Sequence, residues 1–92
     1  MRRARRSKIR IIADILRVIE RENGAKLTQI LYGANLSYER LTGYLNELKA
    51  KGLIKEKRGD EGSRYYLTER GFRFLREFKK VEEFAKSFGI KL

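Results

Sequence analysis

The residues of this sequence best suited to chemistry are its lysines and arginines, and the chemistry they offer is the capture of an anion. The 92-residue chain carries 23 Lys and Arg against 12 Asp and Glu, a formal net charge of +11. Arg2, Arg3, Arg5, Arg6, Lys8 and Arg10 place +6 of this in residues 1–10, where there is no acid. Residues 11–36 are neutral, 37–51 and 52–68 carry +1 each, and 69–92 carry +3. Guanidinium and ammonium groups crowded ahead of a folded domain suit a phosphate backbone. Residues 1–7 are therefore expected to form a flexible basic arm, with Arg2, Arg3, Arg5, Arg6 and Lys8 as its nucleic-acid contacts. The alternative is a merely solvated terminus.

A second group of candidates lies in residues 37–47. With Leu41, Leu45 and Leu48 facing inward on a helix, the outward positions are Glu39, Arg40, Thr42, Gly43, Asn46 and Glu47. Arg40 can bond guanine in two places and Asn46 can do the same to adenine. Glu39 and Glu47 can accept from cytosine N4 but otherwise repel phosphate. Gly43 costs the helix about 1 kcal/mol against Ala. Either another backbone approaches closely there, or the residue is simply tolerated. The expected contacts of this helix are Ser37, Glu39, Arg40, Gly43, Asn46 and Glu47. Further along, Lys55, Lys57, Arg58 and Arg64 flank Gly59-Asp60-Glu61-Gly62-Ser63, a run of turn residues. Asp60 and Glu61 blunt the tip for a minor-groove role, which leaves Arg58 and Arg64 beside it. Affinity is thus expected mainly from arm and wing phosphate contacts, with limited selectivity from the helix.

Composition removes other classes of function. The sequence holds no Cys and no His, so no thiolate or imidazole can ligate a metal, attack a substrate or act as a base. There is no phosphate-cradling glycine loop, and the carboxylates are mostly spaced to pair with Lys or Arg. An enzyme is not expected, nor a cofactor or metal site. Arg10, Asp14 and Arg17 interrupt the first apolar run at helical spacing, which fits neither a signal peptide nor a twin-arginine signal. With 38% charged residues and no long apolar stretch, no membrane span is expected. The implied location is the cytoplasm, in the nucleoid if the anion is DNA.

The elements that must position these residues follow from periodicity. Ser7 caps a first helix along which Ile9, Ile12, Leu16 and Ile19 recur, stopped near Glu22 by Asn23-Gly24. Lys26-Leu27 can be no more than an edge strand, and Thr28 is expected to cap a short helix ended by Gly33. Ala34-Asn35-Leu36 makes a turn, and Ser37 caps the third helix, which Gly52 stops. Residues 53–58 and 64–67 alternate as two strands of a hairpin. Thr68 caps a last helix reaching Phe88 and Gly89. A short helix, a turn and a second helix form a helix-turn-helix, and the hairpin behind it is a wing. The fold class expected is mainly α with a β-hairpin wing (α+β), a winged helix-turn-helix over residues 8–70 followed by a long C-terminal helix over 71–92. Tyr38, Tyr44, Tyr65 and Tyr66 read as core or core-edge aromatics rather than base-stacking platforms.

The last helix is longer than the domain needs. Phe72 and Leu75 are expected to close the core. Phe74, Phe78, Val81, Ala85 and Phe88 are spaced as a heptad seam. The seam is expected to pair two copies; folding back against the first helix is the alternative.

Residues 30–54, ILYGANLSYERLTGYLNELKAKGLI, and 65–78, YYLTERGFRFLREF, resemble the archaeal winged-helix DNA-binding proteins of the Sso-ten-a type and the related regulators of archaeal motility genes. The shared features are the Ala-Asn-Leu-Ser-Tyr turn at 34–38, Tyr44-Leu45, Lys51-Gly52-Leu53, and Tyr66-Leu67-Thr68 with Gly71 after it. The resemblance spans about residues 9–88. It implies a homodimer joined through an antiparallel coiled coil of the last helices, binding double-stranded DNA with low sequence specificity as a nucleoid-associated protein or transcriptional regulator. This chain departs from the pattern in its heavier arginine arm and its less basic third helix. An RNA- or ribosome-associated winged-helix factor and a protein-interaction module are the other functions the residues permit.

Overall fold

A computed structural model describes residues 6–92. The elements in chain order are α1 (Lys8–Glu22), α2 (Leu27–Gly33), α3 (Tyr38–Ala50), β1 (Ile54–Gly59), β2 (Gly62–Leu67) and α4 (Glu69–Ser87). Side-chain oxygens cap three of the four helices as their sequence predicts. Ser7 accepts from the Arg10 amide, Ser37 from the Arg40 amide and Thr68 from the Gly71 amide. At the second helix the expectation fails. The cap is Lys26, not Thr28, and the Gln29 carboxamide reaches back to accept from the Lys26 amide at 2.8 Å.

The helix ends share a mechanism. After α2, α3 and α4 the chain turns through Asn35, Gly52 and Gly89, all at positive φ. In each case the next residue's amide bonds the carbonyl five positions back: Leu36 to Leu31, Leu53 to Leu48, Ile90 to Ala85. These are Schellman closures, which satisfy carbonyls the helix leaves open.

α1 is the spine of the core. Ile11, Ile12, Ala13, Ile15, Leu16, Val18 and Ile19 are all buried, packed with Ile30 of α2 and with Leu41, Leu45 and Leu48 of α3. The hairpin is antiparallel, with Ile54 opposite Leu67 and Gly59 opposite Gly62. The proposed edge strand at Lys26-Leu27 is one residue earlier and shorter. Ala25 alone exchanges backbone hydrogen bonds with Tyr65, at 2.9 and 2.8 Å.

α4 buries Gly71, Leu75, Phe78 and Ala85; Gly71 stands against the Leu53 carbonyl after α3, and Phe78 meets α1. Phe78 is only 3% exposed, and the Arg10 and Arg17 guanidiniums sit 5.4 and 5.5 Å from its ring centre. Both arginines then meet the Glu82 carboxylate at 2.6 Å. The α1–α4 contact is therefore an aromatic ring held between two cations that share one acid. Arg17, then Arg10, holds the Glu82 carboxyl below its usual range against the opposing effect of partial burial. Two expectations are corrected here. Phe72 is exposed and does not close the core with Leu75, and Phe78 and Ala85 face inward, so they are spent within the chain instead of lining a seam. The reason is rotational: Phe78 and Ala85 share the Gly71–Leu75 face of the helix, while Phe74, Val81 and Phe88 lie on its flank.

Candidate nucleic-acid interface

Burial of Leu41, Leu45 and Leu48 turns the opposite side of α3 to solvent. Glu39, Gly43, Asn46 and Ala50 form its exposed midline. A Cβ added at Gly43 would meet nothing within 4 Å, so none of the described residues crowds it. Ser37 and Arg40 are exposed at the helix start. Tyr38 is exposed there too, against its expected place at the core edge, and Tyr44 is half-buried against the core.

This midline is bordered on two sides. On one side Lys8 of α1 pairs with Glu47 at 3.0 Å, and Lys51 approaches the same carboxylate at 3.8 Å. Lys8, with Lys51 assisting, keeps the Glu47 carboxyl ionised below its usual range. Glu47 is thus occupied with cations of its own chain and is not a free acid pointed at a phosphate. On the other side Lys49 pairs with Glu56 of β1 at 2.7 Å, which lowers the Glu56 carboxyl and raises the Lys49 ammonium. That pair ties α3 to the wing.

The hairpin has two faces because its side chains alternate. Ile54, Glu56 and Arg58 share one face with Leu67, Tyr65 and Ser63; Lys55 and Lys57 share the other with Tyr66 and Arg64. On that second face Lys57 stands directly opposite Arg64. Like charges so placed destabilise a hairpin. The Lys57 ammonium lies over the Tyr66 ring at 5.6 Å, and Arg64 bonds the Gly24 carbonyl at 3.0 Å. At the tip, Glu61 lies 3.9 Å from Lys26 while Asp60 is exposed. On α3 and the wing, Arg40, Lys55, Lys57 and Arg58 have no carboxylate partner among the described residues, and Arg64 is partly engaged.

The arm is changed more. Arg2, Arg3 and Arg5 lie outside the described residues. The cations that follow are committed inside the fold: Arg6 to Asp14 at 2.9 Å, Lys8 to Glu47, Arg10 to Glu82. Sequence reasoning counted all of them as arm charge. It also missed the Arg10–Arg17–Glu82 clamp, although its signal was present: Arg10 and Arg17 are seven apart on one face of α1, and Glu82 follows Phe78 by four on α4. The structure borders α3 with Lys8 on one flank and β1 on the other, and it puts Lys55, Lys57 and Arg64 on the hairpin face opposite Glu56. It places the α4 residues Phe74, Val81 and Phe88 elsewhere.

A family model described as "Winged helix-turn-helix" matches residues 5–86. The chain belongs to this family. The winged helix-turn-helix chain is 30% identical over 86 residues to the Methanocaldococcus jannaschii protein MJ0287, covering 94% of this chain and 84% of that one. Among solved structures it is similar to Sso10a-2 of Sulfolobus solfataricus, described as a DNA-binding protein. The identity is 30% and the TM-score 0.76, over 91% of this chain and 90% of the other. It shares its fold with MepR of Staphylococcus aureus, a transcription regulator of a multidrug efflux pump (identity 16%, TM-score 0.73, 85% of this chain). This winged helix-turn-helix spans 61% of that regulator's length. No described helix is long and apolar enough to cross a membrane.

Proposed function

We propose that this chain is a DNA-binding protein of the regulator or nucleoid-associated kind, active as a homodimer on double-stranded DNA. The observation that carries it is the exposed midline of α3 joined through Lys49–Glu56 to a wing whose Lys55, Lys57 and Arg58 have no carboxylate partner among the described residues. A polyanion meeting α3 and the wing finds Arg40 and Arg58, and one reaching the other face of the hairpin relieves the Lys57–Arg64 opposition. Arg2, Arg3 and Arg5 add three further cations. Phosphate contacts supply most of the affinity, and Asn46 and Arg40 supply limited base selectivity. The description of Sso10a-2 as DNA-binding, at 30% identity over nearly the whole of both chains, supports the same partner.

The dimer rests on α4. Val81, Phe84 and Phe88 are 50, 68 and 69% exposed, an apolar flank that one chain leaves in water and a second copy can cover. Phe74 extends the flank toward the domain. Phe84, unremarked in the sequence, takes the place that Phe78 was expected to fill.

Electrophoretic shifts with random DNA duplexes and matched RNA duplexes across salt concentrations test the proposal. The expected result is a DNA affinity that falls with log salt at a slope steeper than about −3 per chain. Salt-insensitive binding, or a clear preference for RNA, would refute it.

A further inference from the structure

Three exposed cations stand together on one side of α4. Arg76, Lys79 and Lys86 have no carboxylate partner among the described residues, and their spacing of three and seven puts them on one face. Val81 of the apolar flank is two residues from Lys79, about 200° around the helix. A second copy covering that flank therefore leaves the three cations in water. The face is concave where α4 meets α1. Arg10, Lys79, Lys86 and Lys91 line a cavity of about 610 Å³ with Glu82 and Glu83. Arg17, Arg76 and Lys79 line another of about 660 Å³ with Glu20, Glu82 and Phe72. Because they share Lys79 and Glu82, the two form one groove, with six cations against three acids. Glu82 is already shared by Arg10 and Arg17, so Glu20 and Glu83 alone oppose an incoming anion.

We propose that this groove is a second phosphate-binding surface, which holds a segment of duplex DNA separate from the one on α3. This rests on DNA being the partner of the chain, as argued above, but not on the α3–wing contact. Lys8 pairs with Glu47 of α3, whereas Arg10 pairs with Glu82 of α4. Two residues apart, they leave α1 in directions about 200° apart. The groove and the midline of α3 thus lie on different sides of α1, and one straight duplex does not serve both. Arg76 to Lys86 covers about 15 Å of helix, over which one strand of a duplex presents about four phosphates. A second copy, itself at +11, cannot neutralise the groove.

The test compares three full-length forms: the parent, a groove variant (Arg76→Gln, Lys79→Gln, Lys86→Gln) and an α3–wing variant (Arg40→Gln, Lys57→Gln, Arg58→Gln). All six residues are exposed, and melting temperatures confirm folding. One assay measures affinity for a single random duplex. The other measures co-capture, the retention of a labelled duplex on an immobilised one, across salt concentrations. The groove variant is expected to lose co-capture at least about fivefold and to flatten its salt slope by about 3, with single-duplex affinity within about threefold of the parent. The two α3 helices of a dimer could capture two duplexes by themselves; co-capture unchanged by the groove substitutions would overturn the proposal and leave DNA binding intact. An equal loss in both assays would reduce the effect to net charge and also overturn it. Polyglutamate that binds the parent but not the groove variant, with co-capture unaffected, would give the groove to an acidic protein instead. Groove-dependent co-capture beside an α3–wing variant that binds like the parent would support the groove and overturn the α3–wing site. A parent chain that binds no duplex at any salt would overturn both.

Discussion

Two glycines inside helices are expected to respond to the same substitution with opposite signs. At Gly71, in the first turn of α4, an added Cβ would lie 2.2 Å from the Leu53 carbonyl oxygen. That oxygen is backbone and already accepts from the Thr68 amide at 3.1 Å, so it has little freedom to retreat. Thr68 in turn donates from its hydroxyl to the Gly52 carbonyl at 2.6 Å and accepts from the Gly71 amide at 3.1 Å. Gly71→Ala must therefore push α4 off the α3–β1 junction and strain its cap. Overpacking costs about 1–3 kcal/mol and a damaged cap about 1 more, against about 1 kcal/mol regained from helix propensity. The net expectation is a loss of about 1–3 kcal/mol, or roughly 4–24 °C in melting temperature for a domain of this size. Gly43→Ala meets no atom and keeps only the propensity gain, about 1 kcal/mol, a rise of roughly 4–8 °C. Thermal and urea unfolding by circular dichroism, both variants at one protein concentration, measure the pair. A Gly71→Ala protein as stable as the parent, or a destabilised Gly43→Ala protein, would refute the packing argument. A duplex affinity lowered by Gly43→Ala despite higher stability would mark the residue as a point of close approach.

Other consequences can be tested in the same way. Lys57→Ala removes one of two opposed cations, so it is expected to stabilise the hairpin by about 0.2–1 kcal/mol while reducing the salt slope of DNA binding by about 1; melts and shift assays report the two effects. Glu82 has a folded pKa below its unfolded one. Its contribution is therefore present above the unfolded value, near 4.5, and is lost as pH falls through the lower folded value. Glu82→Gln should cost about 1–3 kcal/mol at neutral pH and flatten the acid limb of a stability–pH profile. Phe88→Glu is expected to abolish the proposed dimer in sedimentation with little effect on the fold of each chain, whereas Phe78→Ala should cost about 3–5 kcal/mol in unfolding experiments because it empties a buried site.

The order and type of the elements are legible along the chain, because they depend on interactions between near neighbours. Ser7, Ser37 and Thr68 cap their helices through amides three residues on, and Asn35, Gly52 and Gly89 end theirs through local backbone geometry. The Leu41–Leu45–Leu48 stripe fixed which side of α3 faces water. Near neighbours could also mislead. Thr28 looked like a cap because hydroxyls cap well, but Gln29 satisfied the Lys26 amide first. How the charge is distributed between ion pairs and open surface depends on the packing of distant elements. Arg6, Lys8, Arg10 and Arg17 find their acids eight, 39, 72 and 65 positions away, and Coulomb attraction depends on distance in space, which no local pattern encodes. The cations of the described residues are thereby divided between structural ion pairs and a set without acid partners, at Arg40, on the wing, and at Arg70, Arg73, Arg76, Lys79, Lys86 and Lys91 along α4 and after it. The rotation of α4 against α1 likewise chose Phe78 for the core and left Phe84 in water, because a heptad spacing names two adjacent stripes and only packing selects between them.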